Sequence, residues 1–209
     1  MFDEYKRYRN ASREFHSKVI EAEQISREDI ERAGKLLGFM QDGRLVFKSD
    51  SETDILFDFL IYDYQIDGEN VIEKFQEDYQ HENRLEKEIL SAMLDSYTSL
   101  FQVEKITDQR IQLYDLINEN RIENFIDINL IRTGNENFIM FLRRLKFQNF
   151  SMSSGVSFLY EKASAEELLS EYENRKKGIL LADEAMKSVI VCKKLYDEKG
   201  LPVSYGKIQ

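Results

Sequence analysis

The fold of this chain is decided by Ser96 to Lys162, which read SYTSLFQVEKITDQRIQLYDLINENRIENFIDINLIRTGNENFIMFLRRLKFQNFSMSSGVSFLYEK. Apolar and polar residues alternate in several short runs, and β-branched and aromatic residues are frequent. Both features are typical of strands. Polar turns separate the runs. The stretch therefore predicts four or five short antiparallel strands, arranged as a β-meander or a small open barrel.

Three segments inside this stretch carry their own predictions. Ile122, Ile126 and Ile128 mark the third strand, and residues 133–137 form the strongest turn signal because Gly and Asn tolerate positive φ. The run Phe138–Phe147 fits both a strand and a helical face, and its length and position between turns favour a strand. Ser154-Gly155 in the last run is interpreted as a β-bulge.

Helical periodicity flanks the predicted sheet on both sides. The predicted helices are residues 2–23, a helix capped by Ser26 with Asp29 and stopped by Gly38, residues 51–65 capped by Ser51, residues 70–79, residues 82–99, a helix capped by Ser164, and a last helix after Gly178. A short strand is predicted at residues 44–47. Residues 82–99 lead directly into the first strand, so we expect that helix to pack across the sheet.

The pattern as a whole predicts an α+β protein with a helical N-terminal region, a central antiparallel sheet and C-terminal helices. Three parts are expected. Residues 1–50 form a helical hairpin and a short strand, residues 51–162 a helix with the sheet core, and residues 163–209 the C-terminal helices.

Composition narrows the function classes. The net charge of −10 argues against a broad nucleic-acid surface, because Lys and Arg supply most of the free energy of phosphate binding. From Ser96 to Lys162 eight basic residues balance eight acidic ones, so the acidic excess is expected on the helices. With one cysteine, no signal-peptide pattern and no run of transmembrane length, the chain is expected in the cytoplasm, away from membranes.

Asp63 is the clearest misfit in the sequence. It lies on the apolar side of the helix predicted over residues 51–65, opposite the stripe that contains Asp54 and Asp58. A carboxylate in such surroundings has a raised pKa and is suited to general acid or base catalysis. The alternative is a structural carboxylate that accepts hydrogen bonds from backbone amides or a tyrosine. The second interpretation is favoured because no His or Cys lies nearby in sequence.

The other reactive residue types form no recognisable constellation. His16 and His81 are isolated and have no second ligand at helical spacing, so no metal site is predicted. Cys192 on an apolar helical face is typical of a packed residue. The Ser151–Gly155 segment lacks the spacing of phosphate-binding or nucleophile motifs, and no cofactor is predicted.

Two partner surfaces are predicted. Arg143, Arg144 and Lys146, interleaved with Phe141 and Phe147, form the one basic-aromatic cluster and are a candidate for binding single-stranded nucleic acid. In a strand, however, Arg143 and Arg144 face opposite sides of the sheet. The terminal helices present narrow apolar seams, which include Tyr5, Tyr8 and Phe15 in the first helix and Val189 and Tyr196 in the last. These seams either pack inside the chain or join two copies in a homodimer.

The runs FDFLIYDYQIDGENVIEKF, SYTSLFQVEKI, YDLI and SSGVSFLY, between Leu56 and Tyr160, resemble a group of uncharacterised bacterial proteins. In that group a helix precedes a β-rich unit, and some members carry a separate SEC-C zinc-binding motif. This chain lacks that Cys-rich motif. The resemblance therefore implies fold and organisation, and it implies neither zinc binding nor a reaction.

These observations favour a non-enzymatic protein-interaction or regulatory module. It would use its helical seams for assembly and the surface or turns of its sheet for a partner. The alternatives are a module that binds single-stranded nucleic acid through Arg143, Arg144 and Lys146, and an enzyme with a pocket around Asp63.

Overall fold

A computed structural model describes residues 2–80 and 83–201 of the chain. Its contacts divide the chain into two units, Met1–Ser96 and Tyr97–Gln209. The first unit is mainly helical, and the second is built around a sheet. The domain boundaries that the sequence suggests, after residues 50 and 162, remain predictions.

The described part of the first unit consists of helices and two very short hairpins. In chain order its elements are α1 (Phe2–Glu23), α2 (Arg27–Leu36), β1 (Met40–Gln41), β2 (Arg44–Leu45), α3 (Asp50–Tyr62), β3 (Gln65–Ile66), β4 (Glu69–Asn70), α4 (Val71–Asp78) and α5 (Arg84–Leu94). The predicted start of α2 is confirmed, because the Ser26 side chain accepts a hydrogen bond from the N–H of Asp29. Gly38 follows α2 with a φ of +82°, a conformation that suits glycine.

Helix α1 packs against α4 and α5 within this unit. Phe15 is 1% exposed and lies at the centre of the contact. Its ring meets those of Phe75 and Tyr79 edge-on, with centroids 5.6 and 5.4 Å away. Burial of an aromatic side chain stabilises a fold by about 1.5–3 kcal/mol, so the apolar seam of α1 is a major source of stability for the first unit.

Two helices of the first unit differ from their predicted bounds. Helix α3 begins at Asp50 after Ser49, so Ser51 is inside the helix and is not its cap. Helix α5 ends at Leu94, and a strand begins at Tyr97, where the sequence predicts continued helix to residue 99. The reason is a change of period: from Tyr97 onward every second side chain shares one face, which a strand satisfies and a helix does not.

The second unit contains five strands and three helices among its described residues. In chain order they are β5 (Tyr97–Ile106), β6 (Ile111–Asp115), β7 (Ile122–Phe125), α6 (Ile128–Thr133), β8 (Phe138–Lys146), β9 (Ser151–Glu161), α7 (Ala165–Lys177) and α8 (Glu184–Lys199). A 3₁₀ turn, Lys162–Ser164, precedes α7, and the Ser164 side chain makes no capping hydrogen bond. The strand predicted at residues 138–147 is confirmed.

The five strands form a closed barrel in the order β5-β6-β7-β9-β8, with β8 paired to β5. All neighbours are antiparallel except β7 and β9, which are parallel. The predicted α+β class with a mainly antiparallel sheet is confirmed. The strand order is not that of a meander, because the last two strands exchange places and thereby bring β9 beside β7.

Side chains from all five strands meet in the core inside this barrel, to which β9 adds the partly buried Leu159, and α6 closes one end of it. The buried core residues are Phe101, Val103, Ile111, Leu113, Phe125, Leu130, Met140 and Leu142. Leu130 comes from α6, and Ile106 and Phe138 pack beside it. The sequence predicted a third strand through Ile128, which is wrong. Asp127 accepts hydrogen bonds from the N–H groups of Asn129 and Leu130 and so starts a helix there.

The outer side of β5 and β9 is covered by α8. The Tyr196 ring stacks on Phe158 with centroids 5.0 Å apart, and the Tyr160 hydroxyl donates a hydrogen bond of 2.6 Å to the Cys192 carbonyl. The bulge predicted at Ser154-Gly155 is confirmed. The pairing of β8 with β9 shifts there, and Gly155 has a φ of +123°. Gly134, by contrast, has a φ of −67°, so its turn requires no left-handed residue.

Candidate functional site

The barrel end distant from α6 is lined with polar side chains, which we call the polar end: Tyr97, Ser99, Asp115, Glu123 and Arg144. Each lies an even number of residues from an apolar core residue of its own strand, for example Tyr97 and Ser99 before Phe101. Side chains two apart in a strand share a face. The polar end is therefore a continuation of the interior of the barrel.

Asp115 is the centre of the polar end. It is fully buried and accepts hydrogen bonds from the Tyr97 hydroxyl at 3.0 Å and from the Ser99 hydroxyl. The backbone N–H groups of Ile117 and Asn118 also donate to it, at 3.1 and 3.0 Å. The carboxylate thus joins two strands and fixes the turn after β6. Burial, together with the Asp115 charge, raises the pKa of the Tyr97 phenol far above its usual value.

Arg144 forms the second contact of the polar end. Its guanidinium donates to Glu123 through Nε at 3.2 Å and through a terminal nitrogen at 3.1 Å, and it lies 5.3 Å from the centre of the Tyr97 ring. Glu123 also contacts Arg121 at 2.7 Å and the Ser151 hydroxyl at 3.4 Å. Because Arg144 is on β8 and Glu123 on β7, this ion pair connects strands that are not neighbours in the sheet.

The polar end satisfies its own hydrogen-bonding groups, and this limits its chemistry. A buried charge needs an opposite charge or hydrogen bonds: Arg144 is paired with Glu123, and Asp115 accepts hydrogen bonds from hydroxyls and backbone N–H groups. Asp115 and Arg144 are 0% and 4% exposed, so neither side chain faces solvent. The arrangement holds the barrel closed at one end, and it is a structural network.

The outward side of β6 and β7 has a different character. We call it the β6–β7 face: Gln112 and Tyr114 on β6, and Ile122 and Asn124 on β7. Tyr114 pairs with Ile122 and Gln112 with Asn124 across the two strands. Ile122 is 54% exposed, Asn124 is exposed, and the Gln112 amide donates to the Asn124 side chain at 3.3 Å. This face is uncharged and combines one aromatic, one apolar and two amide side chains.

A family model matches residues 1–206 of this sequence, and its description is a family of unknown function (DUF7986). The chain belongs to the DUF7986 family. No curated protein and no solved structure matches it.

The basic cluster predicted from the sequence has two buried members. Arg143 and Arg144 are 3% and 4% exposed, and Arg144 is engaged in the polar end. Lys146 is exposed at the end of β8. The structure therefore brings only Lys146 of this trio to the surface. The two arginines lie on opposite sides of the sheet, as expected, and both sides are covered there.

The candidate acid and the isolated reactive residues are in separate places. Asp63 is buried at the end of α3, where its N–H donates to the Phe59 carbonyl at 3.0 Å. The His16 ring nitrogen Nε2 lies 2.6 Å from the Tyr62 hydroxyl. His81 lies outside the described residues. Burial raises the pKa of the Cys192 thiol well above its usual value, which disfavours the reactive thiolate.

The apolar seams of the terminal helices are packed within their own units. Tyr5, Tyr8 and Phe15 are buried in the first unit, and Val189 is buried in the second. Tyr196 is half-buried against Phe158. A homodimer through these side chains remains a prediction, and it would require them to leave their present contacts.

Charge separates the two units sharply. Residues 1–96 contain 13 basic and 23 acidic residues, whereas residues 97–209 contain 16 of each. The whole acidic excess is thus in the first unit, and none of it is on α7 and α8. Within residues 2–80 and 83–201, no cluster of His, Cys, Asp and Glu is suited to a metal ion. No helix in those ranges has the length and apolar character needed to cross a membrane.

Sequence reasoning missed both the polar end and the β6–β7 face. A signal for the polar end was present, since Tyr97, Ser99 and Asp115 share the parity of apolar core residues in their strands. The β6–β7 face had a weaker signal. Ile122 marks the third strand in the sequence, but an isoleucine gives no local indication of exposure, and its side chain is 54% exposed.

Proposed function

We propose that this protein is a non-enzymatic protein-interaction module that binds a partner through the β6–β7 face. The observation that carries the proposal is Ile122, a β-branched apolar residue that begins β7 and is 54% exposed. Among the described residues of the five barrel strands, it is the one large apolar side chain that is exposed. An exposed apolar residue surrounded by amide and aromatic side chains is typical of the centre of a small interface.

The positions of the candidate catalytic groups support a binding role over an enzymatic one. Asp63 is buried at the end of α3, where its backbone N–H donates to the Phe59 carbonyl, so its carboxylate is not open to a substrate in solvent. In the polar end, Arg144 pairs with Glu123 and Asp115 accepts from the Tyr97 hydroxyl, so the buried charges already have partners. A catalytic site requires a nucleophile or base that a substrate can reach. The chain's buried titratable groups serve packing and closure.

Site-specific photocrosslinking in an extract of the source cells, from which the unlabelled natural protein has been removed, tests this function. A photoreactive residue at position 122 is expected to yield a discrete adduct with one partner. The same residue at Gln109, an exposed position in the turn after β5, is the matched control. The adduct at position 122 should disappear when unlabelled wild-type chain is added, and it should persist when unlabelled Ile122→Glu is added.

Two outcomes would overturn the proposal. One is a set of adducts that is identical at positions 122 and 109, which indicates random collision. The other is equal competition by wild-type chain and Ile122→Glu. The thermal unfolding of Ile122→Glu should match that of the wild type, because the side chain is mostly in solvent already.

A second candidate function is binding of single-stranded nucleic acid, and the strand connectivity favours it. Five strands in this closed order, with a helix between the third and fourth, have the connectivity of OB barrels. Proteins of that class use the face of their second and third strands to bind oligonucleotides or oligosaccharides. Connectivity alone is a weak argument for function. The burial of Arg143 and Arg144 and the balanced charge of the second unit argue against phosphate binding.

Fluorescence anisotropy with labelled oligothymidine at low salt separates the two candidates. Binding that weakens steeply with added salt and is lost in Lys146→Glu would support the nucleic-acid function. We expect no salt-dependent binding.

The proposal includes a cytoplasmic location and a relationship to the bacterial proteins of the SEC-C-associated group. It also includes a homodimer as an alternative assembly. Light scattering tests the assembly, because a dimer has twice the 24.8 kDa mass of the chain. A constant mass near that of one chain across a wide concentration range would exclude the dimer.

A further inference from the structure

The barrel is closed at one seam by very little backbone pairing. Strands β7 and β9 share a single registered pair, Phe125 with Ser151, whereas β8 and β9 are paired along most of their length. Within this parallel pair of β7 and β9, the Ile126 N–H donates to the Ser151 carbonyl at 2.8 Å. Strand β7 extends beyond this pair from Ile122 to Asn124.

The direction of the β7 backbone groups follows from one hydrogen bond. The Asp115 N–H donates to the Arg121 carbonyl at 3.0 Å, so Arg121 faces β6. In an antiparallel ladder, successive residues direct their N–H and C=O groups to opposite sides. Glu123 and Phe125 therefore face β6 as well, and the N–H groups of Ile122 and Asn124 face the seam. The Ile126 N–H, which donates to β9, also faces the seam, as this alternation requires.

Side chains hold the seam where backbone pairing ends. The Ser151 hydroxyl contacts Glu123 at 3.4 Å, and the Ser153 hydroxyl donates to Asp127 at 2.7 Å. These contacts involve residues on the inner side and at the end of β7. Ile122 and Asn124, whose backbone N–H groups face the seam, are both exposed. The outer edge of β7 thus presents a short strand edge beside an exposed apolar side chain.

We infer that the partner of the β6–β7 face is an extended peptide segment that adds to the edge of β7 as an extra strand. This inference rests on the proposed function and specifies its ligand. Main-chain hydrogen bonds to Ile122 and Asn124 provide the binding, as in other cases of strand addition. Ile122 then packs beside an apolar or β-branched side chain of the peptide, which is the favoured cross-strand pair. The uncharged surface of this face suits a segment without a cluster of charges.

The experiment uses short random peptides displayed on phage and selected against the full-length chain. Selected peptides are synthesised, and their affinities are measured for three variants. Asn124→Pro removes the N–H that faces the seam and keeps the Ile122 side chain. Asn124→Ala keeps that N–H and is the matched control. Ile122→Glu removes the apolar side chain.

We expect Asn124→Pro to weaken peptide binding by about tenfold or more, since a main-chain bond is lost and the proline ring obstructs the added strand. Asn124→Ala should bind as the wild type does. Two N-methylated peptides are then compared, one methylated at the odd-numbered residues and the other at the even-numbered residues. One of the two should lose binding and the other should keep it, because only one edge of the peptide meets β7. Circular dichroism verifies that each variant is folded.

The outcomes separate this inference from the proposed function. Equal binding by Asn124→Pro and wild type, with binding lost in Ile122→Glu, overturns strand addition and leaves the β6–β7 face as the interaction surface. Equal binding by all three variants overturns both. Failure to select any peptide also overturns strand addition, and the crosslinking experiment then decides the function independently.

Discussion

The two ends of the barrel are closed by different physical means. At one end, Leu130 of α6 fills the space between apolar side chains, and its contribution depends on volume and surface. At the other end, Asp115 and the Arg144–Glu123 pair close the barrel through bonds of defined direction. An apolar plug tolerates another side chain of similar size. A buried polar network tolerates only groups that supply the same donors and acceptors, because each lost partner leaves a desolvated group behind.

The largest expected effect is from Asp115→Ala. The substitution leaves four buried or partly buried donors without their acceptor: two hydroxyls and two backbone N–H groups. At about 1–3 kcal/mol for each of these four groups, the free energy of unfolding should fall by about 4 kcal/mol or more. Urea denaturation followed by circular dichroism measures it. A loss of less than about 1 kcal/mol would show that water replaces the carboxylate, and the two ends would then not differ as described.

A double-mutant cycle on Arg144 and Glu123 should show the next largest effect. Arg144→Met removes a buried cation and leaves Glu123 with fewer partners, so we expect a loss of about 3 kcal/mol. Glu123→Leu in the Arg144→Met background should restore part of that loss, with a coupling energy of about 1–3 kcal/mol in urea denaturation. Strict additivity of the two substitutions would mean that the pair does not act as a unit.

The difference between the ends also shows which features can be predicted from sequence. The strands of the barrel were predicted because alternation is a local signal, and β8 was assigned correctly although its pattern also fits a helix. The burial of Arg143 and Arg144 could not be predicted from the sequence. Barrel closure covers the inner side of β8, and other parts of the folded chain cover its outer side. Those contacts join residues far apart in the chain. Helix α6 was missed because six residues carry too little periodicity to reveal a helix.

Leu130→Ala tests the apolar end and should have a smaller effect than either change at the polar end. Leu130 is 8% exposed, and its truncation leaves a cavity beside Ile106 and Phe138, so the expected loss is about 2–3 kcal/mol. Leu130→Met is the matched control. It should cost less than about 1.5 kcal/mol, because volume is nearly preserved. If Leu130→Met were as harmful as Asp115→Ala, shape at the apolar end would be as specific as hydrogen bonding at the polar end.

The smallest effect is a pH dependence at Tyr97. Its phenol has a raised pKa in the folded chain because it is buried and lies beside Asp115. Between the unfolded pKa of about 10 and the higher folded value, the unfolded chain binds fewer protons, so stability falls as the pH rises through this range. Tyr97→Phe should cost only about 1 kcal/mol at pH 7, for one lost hydrogen bond. Above pH 10, the free energy of unfolding of Tyr97→Phe should fall less steeply with pH than that of the wild type, by the amount that corresponds to about one proton. Equal slopes for Tyr97→Phe and wild type would mean that water reaches the polar end. The two ends of the barrel would then differ in which side chains they contain, and both would be equally accessible to water.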